Sequence, residues 1–344
     1  KTINASVAAR DAAGNIGTAT NTHVYAVDTG TNPIATALTV DAVTADNVIN
    51  VVEKNATTTT TTITGKATGV FNSGDTVTLT VNGKSFTGSV DVSGNYSIGV
   101  TTADLVADND NTIDARIAAT GNSSQVTAKH TYNVDIAPPD ATTTTLTVDV
   151  ITADNVISAA EAGLTNIAVT GKAAGTFKAG DVVTLKLVTA GGTITKQGNV
   201  DANGNYSIDV PTADLRADTD LKIEASIAAH DPAGNVGTIT STRTYAVDTT
   251  PPSNSTTTLS FDPVTADNII NASESGQTNT LITGKASGEF KDGDRVTLTV
   301  NGKTFTGNVN AAGIFSISVP TAELINDSDK TITASLEATD AAGN

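Results

Sequence analysis

Apolar side chains fall at every second position along much of this chain, as in Leu38-Thr39-Val40, Thr76-Val77-Thr78-Leu79-Thr80-Val81 and Arg295-Val296-Thr297-Leu298-Thr299-Val300. A period of two built largely from threonine and valine marks strands with one buried face. Asn82-Gly83 and Asn301-Gly302 each sit between two such runs. Both residue types tolerate positive φ, so each pair predicts a two-residue hairpin turn. The equivalent stretch in the middle of the chain is Thr189-Ala190-Gly191-Gly192-Thr193, which predicts a longer hairpin. There, strands are expected near 144–149, 165–174, 182–188, 193–200, 205–210, 221–229 and 236–247. Helical signals are weak, confined to a turn at Ala159-Ala160-Glu161-Ala162 and another after Thr102-Ala103-Asp104-Leu105. Seven short strands with Gly- and Asn-rich turns predict an antiparallel two-sheet sandwich.

The pattern occurs three times. Asp46-Asn47-Val48-Ile49-Asn50 returns as Asp154-Asn155-Val156-Ile157-Ser158 and as Asp267-Asn268-Ile269-Ile270-Asn271. A period of roughly 110 residues is too long for a solenoid unit of about 20 to 50 and suits a self-sufficient domain. Gly65-Lys66-Ala67 recurs from Gly171 and Gly284, and Gly94-Asn95-Tyr96 recurs from Gly204 and as Gly313-Ile314-Phe315. Joints are marked by Val134-Asp135-Ile136-Ala137-Pro138-Pro139 and Val247-Asp248-Thr249-Thr250-Pro251-Pro252. Proline halts strand pairing there, and two in a row favour an extended, stiff connection. The first joint, Val27 to Pro33, has one proline and a glycine and is expected to bend more.

The expected division is 1–30, the closing strands of a partial repeat; 31–137 and 138–250, complete repeats; and 251–344, a repeat lacking its last strand. Lys1 to Ser6 aligns with Lys330 to Ser335, and Asp11-Ala12-Ala13-Gly14-Asn15 is identical to Asp340-Ala341-Ala342-Gly343-Asn344. Either the orphan strand pair complements an open edge on another copy, head to tail, or the span is cut from a longer array.

Charge narrows the function. The formal net charge of −17, from 36 acidic and 19 basic residues, opposes binding to nucleic acid, whose phosphates need a basic footprint. It equally opposes an anionic membrane surface and favours solubility and cation binding. Cysteine is absent, so stability must come from packing or metal, and the chain is indifferent to redox compartment. No run approaches the ~18 apolar residues of a membrane span. The few aromatics fall at matched positions, Phe71, Phe177 and Phe290, Tyr96, Tyr206 and Phe315, and Tyr25, Tyr132 and Tyr245. Core anchoring is their expected role.

Three motifs carry a family resemblance that covers the whole chain: the Asp-x-Ala-Gly-Asn turn at Asp11, Asp231 and Asp340, the Val-Asp-Thr-Thr-Pro-Pro joint at Val247 to Pro252, and Thr44-Ala45-Asp46-Asn47-Val48-Ile49-Asn50. Together they resemble the tandem bacterial immunoglobulin-like extender repeats of giant RTX-type and biofilm-associated adhesins. The resemblance implies an all-β fold of tandem immunoglobulin-like antiparallel β-sandwich domains in an extended array. It also implies a calcium-rigidified stalk that projects a distal binding domain from a bacterial surface. The second copy of the turn departs at Thr120-Gly121-Asn122, where its aspartate is missing.

Candidate ligands gather in two loops and the linker. The first strand and following loop supply Asp41, Asp46 and Glu53, then Asp149, Asp154 and Glu161, then Asp262, Asp267 and Glu274. The loop before the sixth strand supplies Asp108 and Asp110, Asp218 and Asp220, or Asp327 and Asp329. Counting strands up and down puts both loops at the pole where the chain leaves a repeat, beside linker residues Asp28, Asp135 and Asp248. The turn aspartates Asp231 and Asp340 fall at the opposite pole, facing the previous repeat's exit. Calcium takes six to eight hard oxygen ligands, so Ca2+ is the expected cation, most of all at the joints. Solvated turn chemistry is the alternative for every one of these loops. Asp104, Asp214 and Glu323, each following Thr-Ala, are expected to cap turns.

Catalysis finds little support. His23, His130 and His230 read as strand residues, and no nucleophile elbow, zinc-binding His pair or phosphate loop occurs. The threonine run Thr57 to Thr62 is confined to one copy, which favours β-propensity over an ice-binding face. The expected function is a non-enzymatic, extracellular stalk whose partners are neighbouring repeats of the same chain. The alternative is a module that grips a carbohydrate or protein through its pole loops.

Overall fold

The predicted alternation closes into sandwiches, and the second repeat shows how. In this computed structural model, which describes residues 1–27, 36–118 and 125–344, one antiparallel sheet comprises Thr144–Val148, Asn166–Gly175 and Asn205–Pro211. The facing sheet runs in the order Gly192–Asn199, Val182–Thr189, Lys222–His230 and Val236–Thr244. The expected strands therefore form within about two residues of their bounds, the usual uncertainty at element ends, except the last. That one breaks at Tyr245.

The break has a physical cause. Tyr245 turns its ring into the core and its hydroxyl donates to the Leu215 carbonyl at 2.7 Å, because a buried phenol needs a partner. The chain then leaves the antiparallel ladder, and Ala246–Val247 pairs in parallel with Val156–Ile157. In the first repeat Tyr132 donates to the Leu105 carbonyl at 2.7 Å, and Asn133–Val134 runs parallel to Val48–Ile49. Sequence alternation does not reveal this exit strand, since two residues carry no periodicity.

The chain divides into two compact units, Lys1–Ala137 and Pro138–Asn344. The first holds one hydrophobic core around Ile49, Ile63, Leu79, Leu105 and Ile117. It also contains the hairpin Thr2–Arg10 with Ile16–Val24, exposed along its length. The second holds two separate cores, one around Ile157, Leu185, Leu215 and Ile223, the other around Ile282, Leu298 and Phe315. Strand Asn205–Pro211 alternates exposed and buried positions throughout. Each fully buried Leu or Ile contributes roughly 1.5–3 kcal/mol. The helical turns form as expected at Ala159–Ala162 and Thr102–Ala107.

The Asn-Gly hairpins take the mirror-image turn, with Asn82 and Gly83 at φ 49° and 72° and Asn301 and Gly302 at 50° and 72°. The middle hairpin is longer, as expected, but in its strands. Thr189 pairs with Gly192, so the added residues lengthen the strands and the loop stays short. Asp28 and Thr120-Gly121-Asn122 lie outside the described residues.

The Gly-Lys-Ala landmark also gains a reason. A Cβ on Gly171 would sit 2.1 Å from the Thr147 carbonyl oxygen and 2.4 Å from the Tyr206 hydroxyl, and Gly65 and Gly284 are hemmed in the same way by Tyr96 and Phe315. The tyrosine crosses over the glycine to donate to the Thr147 carbonyl at 2.8 Å. We expect Gly171→Ala to cost the second core about 2 kcal/mol or more, the scale of overpacking. Gly191→Ala, whose nearest neighbour is 3.9 Å away, should stay within about 0.5 kcal/mol. Urea unfolding followed by NMR on strand Asn166–Gly175 measures both, and equal effects would refute the steric account.

Candidate functional site

The exit pole of each repeat is built from one left-handed asparagine. Asn47, Asn155 and Asn268 have φ of 62°, 65° and 61°, a conformation asparagine tolerates better than most residues. The Asn155 amide accepts from Ile151 N–H at 3.2 Å and donates to the Thr244 carbonyl at 2.8 Å, tying the first strand to the last. Asn47 ties Val43 to Thr131 in the same way. Asp154 shapes the turn beside it, its Oδ1 accepting from Val156 N–H at 3.0 Å and from the Thr152 hydroxyl at 3.1 Å. Asp46 and Asp267 do likewise.

These bonds keep the carboxylates charged. The Val156 N–H, then the Thr152 hydroxyl, hold the Asp154 carboxyl below its ordinary range, and the nearby Lys291 charge adds to the effect. Asp46 and Asp267 are lowered chiefly by the N–H groups of Val48 and Ile269. Linker residues complete the pole: Asp135 N–H donates to Ile49 O and Asp248 N–H to Ile157 O, both at 3.0 Å. The linker residue thus leaves each repeat alongside the short strand that follows the Asp-Asn loop.

The other predicted ligands have local partners. Glu53, Glu161 and Glu274 reach back to the N–H groups of Asn50, Ser158 and Asn271 at 3.0, 2.9 and 2.9 Å, the reciprocal capping box. The Asn/Ser-x-x-Glu spacing was the available signal. Asp41, Asp149 and Asp262 accept from the hydroxyls of Thr64, Thr170 and Thr283. Asp108 and Asp218 are buried, and each accepts from a core tyrosine hydroxyl, Tyr132 at 3.2 Å and Tyr245 at 3.0 Å. Asp327 is likewise buried. Asp110 and Asp329 accept from Thr112 and Thr331 N–H, and Asp220 pairs with Lys222 at 3.6 Å. Asp231 and Asp340 are held inside their own turns by Asn235 and Asn344. Among the described residues no group of three or more His, Cys, Asp or Glu side chains gathers as a metal site.

Two recurrent features escaped the sequence. Lysines of the second-sheet hairpin clamp the helical turn in every repeat, with Lys84–Asp104 at 2.6 Å, Lys196–Asp214 at 3.1 Å and Lys303–Glu323 at 2.5 Å. Ion pairing therefore replaces the capping expected of these acids, and helix Thr102–Ala107 has no side-chain cap. Buried Asp181 accepts from Lys178 N–H at 2.8 Å and from His230 Nδ1 at 2.6 Å, so His230 is a paired residue rather than a plain strand surface. The repeated Gly-Asp at Asp75, Asp181 and Asp294 was its signal.

Tandem sandwiches with oxygen-rich exit poles define a repeat-protein class. Two solved structures place the chain within it. A 1.5-MDa bacterial ice-binding adhesin, studied for its retention at the host cell surface, is 34% identical over 90% of this chain and 94% of its own, with a TM-score of 0.71. The Ca2+-stabilized adhesin with which an Antarctic bacterium reaches out and binds ice is 37% identical over 100% of this chain and 79% of its own, with a TM-score of 0.56. No family model and no curated protein matches. The chain belongs to the immunoglobulin-like extender repeats of large bacterial adhesins, and its role is that of a structural stalk segment outside the cell.

Acid should undo these poles in a defined direction. Asp46, Asp154, Asp267 and Asp340 are all lowered from 3.8, and the Lys186 and Lys222 ammoniums bring Glu224 from 4.5 to about 2. The unfolded chain therefore takes up protons first, and stability falls as pH drops through the ordinary carboxyl range toward about 2. Thermal unfolding should be flat from pH 7 to 5 and decline below about 4.5. A melting temperature that rises between pH 5 and 3 contradicts this.

Proposed function

We propose that this chain is a passive, non-catalytic length of stalk whose joints are stiffened by Ca2+, and that it divides into the four segments 1–30, 31–137, 138–250 and 251–344. The observation that carries the reading is the exit strand. Because Ala246–Val247 already belongs to the sandwich and Pro251-Pro252 follows closely, the linker leaves the repeat with few free torsions.

The donors at the joint inside the second unit are all oxygens or amides, which suits a hard cation and no soft metal. Asp154, Glu161 and Asp248 are the carboxylates we assign to the ion there, with Asp46, Glu53 and Asp135 as equivalents in the first unit. Their charge is what calcium supplies an answer to: it neutralises anions that otherwise repel across the joint. The similar Antarctic adhesin is described as Ca2+-stabilized, which supports the choice of ion. A ligand-gripping module is not favoured, since it needs a pole loop that differs between copies, and the one candidate, Thr189 to Thr193, is absorbed into a ladder.

Calcium should bind with Kd of roughly 10⁻⁴ to 10⁻³ M, the range of extracellular modules. X-ray scattering should then show a larger maximum dimension with calcium than with chelator. The double variant Asp248→Asn/Glu161→Gln should lose most of that difference while keeping its fold. Identical scattering in both buffers would end the calcium reading.

The partner beyond neighbouring repeats that we propose is a second copy. The Thr2–Arg10 and Ile16–Val24 hairpin exposes Ile3, Val7, Ile16 and Val24, and Ile16-Gly17-Thr18-Ala19-Thr20 matches the sandwich strand Val236-Gly237-Thr238-Ile239-Thr240. A cleft of about 600 Å³ beside Leu259 and Leu336 is the edge it fits. Light scattering should detect concentration-dependent association that Val7→Lys weakens; a strict monomer at millimolar concentration rules it out.

A further inference from the structure

The Asp-x-Ala-Gly-Asn turn closes on itself identically in all three described copies. Asp11, Asp231 and Asp340 N–H groups donate to the carbonyls of Asn15, Asn235 and Asn344 at 3.0, 3.1 and 3.1 Å. The asparagine returns its Nδ2 to the aspartate Oδ2 at 3.0, 2.8 and 2.9 Å. Hairpin turns Asp91–Asn95 and Asp201–Asn205 are built the same way inside a repeat. Turn closure is thus local chemistry and by itself assigns no role.

What the Asn344 amide reaches does assign one. Besides Asp340, its Nδ2 donates to the Asp248 carbonyl at 2.9 Å, and its Oδ1 accepts from the Ala159 N–H at 2.6 Å. Both partners belong to the exit pole of the second repeat, while Asn344 belongs to the third. We propose that Asn344 is a cation-independent latch seating the third repeat on the second, and that Asp340 is its positioning residue rather than a calcium ligand. Its partner is therefore the exit pole of a preceding repeat, recognised by one unpaired N–H beside one unpaired carbonyl.

The chemistry matches that pair. Ala159 opens a helical turn, so its N–H has no acceptor within the turn, and the Asp248 carbonyl lies just past the end of the exit strand. A carboxamide offers two N–H donors and one acceptor oxygen on a single planar group. One Asn344 hydrogen is fixed on Asp340, which leaves the other aimed at Asp248 and the oxygen at Ala159. Aspartate at 344 would face Asp340 and the Asp248 carbonyl without a donor. Asp340 has both carboxylate oxygens engaged by Asn344, Oδ1 with the backbone N–H at 2.9 Å and Oδ2 with the side chain.

Amide hydrogen exchange of Ala159 in the full chain, with excess chelator present, tests this directly. The N–H should be protected without calcium. Asn344→Ala and Asn344→Asp should speed its exchange roughly five- to tenfold, the scale of one ordinary hydrogen bond, and Asp340→Ala should give a smaller increase. Val169 N–H, deep in the same repeat, should not change and reports an intact fold. Protection that persists in Asn344→Ala, or that arises only on adding calcium, overturns the latch. The latter outcome would leave the calcium reading standing, and a latch unaffected by calcium would stand even if scattering ruled calcium out.

Discussion

The joints depend on a buried tyrosine that ends one strand and starts another. Tyr132 and Tyr245 anchor their rings in the core and their hydroxyls on Leu105 and Leu215, which turns the next two residues onto the Asp-Asn loop. A two-residue parallel ladder is weak alone. Here it lies between a core anchor and a proline pair, so little torsional freedom separates the sandwich from its linker. In the second unit the proline end is seated as well: a Cβ on Gly237 would come within 1.7 Å of the Pro139 carbonyl oxygen. That contact lets the linker lie directly on the strand, and only glycine permits it. The linker thus starts from a fixed position on its sandwich, with few free torsions of its own.

The acidic residues serve the same end in two ways. At Asp46, Asp154 and Asp267, the hydrogen bonds that shape the loop also favour the ionised carboxyl, so each exit pole keeps its negative charge well below neutral pH. Self-repulsion is the consequence. Only at Asp154 does a basic side chain, Lys291, contribute to the balance. Asp108 and Asp218 act differently. Buried against tyrosine hydroxyls, they tie the sixth-strand loop to the core.

Sandwich, strand bounds, repeats and helical turns were legible because period-two alternation and Asn-Gly chemistry are local. The exit strand was not, since the turn at Tyr245 is decided by a hydroxyl finding Leu215, thirty residues away. Candidate ligands were legible only as types. Asp and Glu in loops are equally the residues of Asx turns and capping boxes, and Glu161, three residues after Ser158, is a capping residue by that spacing. The lysine clamps escaped for a third reason. Lys84 and Asp104 meet only after a hairpin folds over a helical turn, a juxtaposition that depends on both elements being present.

A joint held by an amide and a joint held by a cation differ in what they fix. Asn344 makes short, directional bonds to Ala159 and Asp248, which select one orientation while each adds only about 1 kcal/mol net. Charge neutralisation has the opposite character: it lacks direction, reaches across a Debye length of about 8 Å at physiological salt, and scales with the number of anions gathered. Orientation without strength gives a joint that returns to one angle but bends easily. Strength without orientation gives one that is compact but unaligned. At the joint inside the second unit the orienting asparagine and the ionised Asp154 lie on the same pole, so the two proposed devices complement each other there.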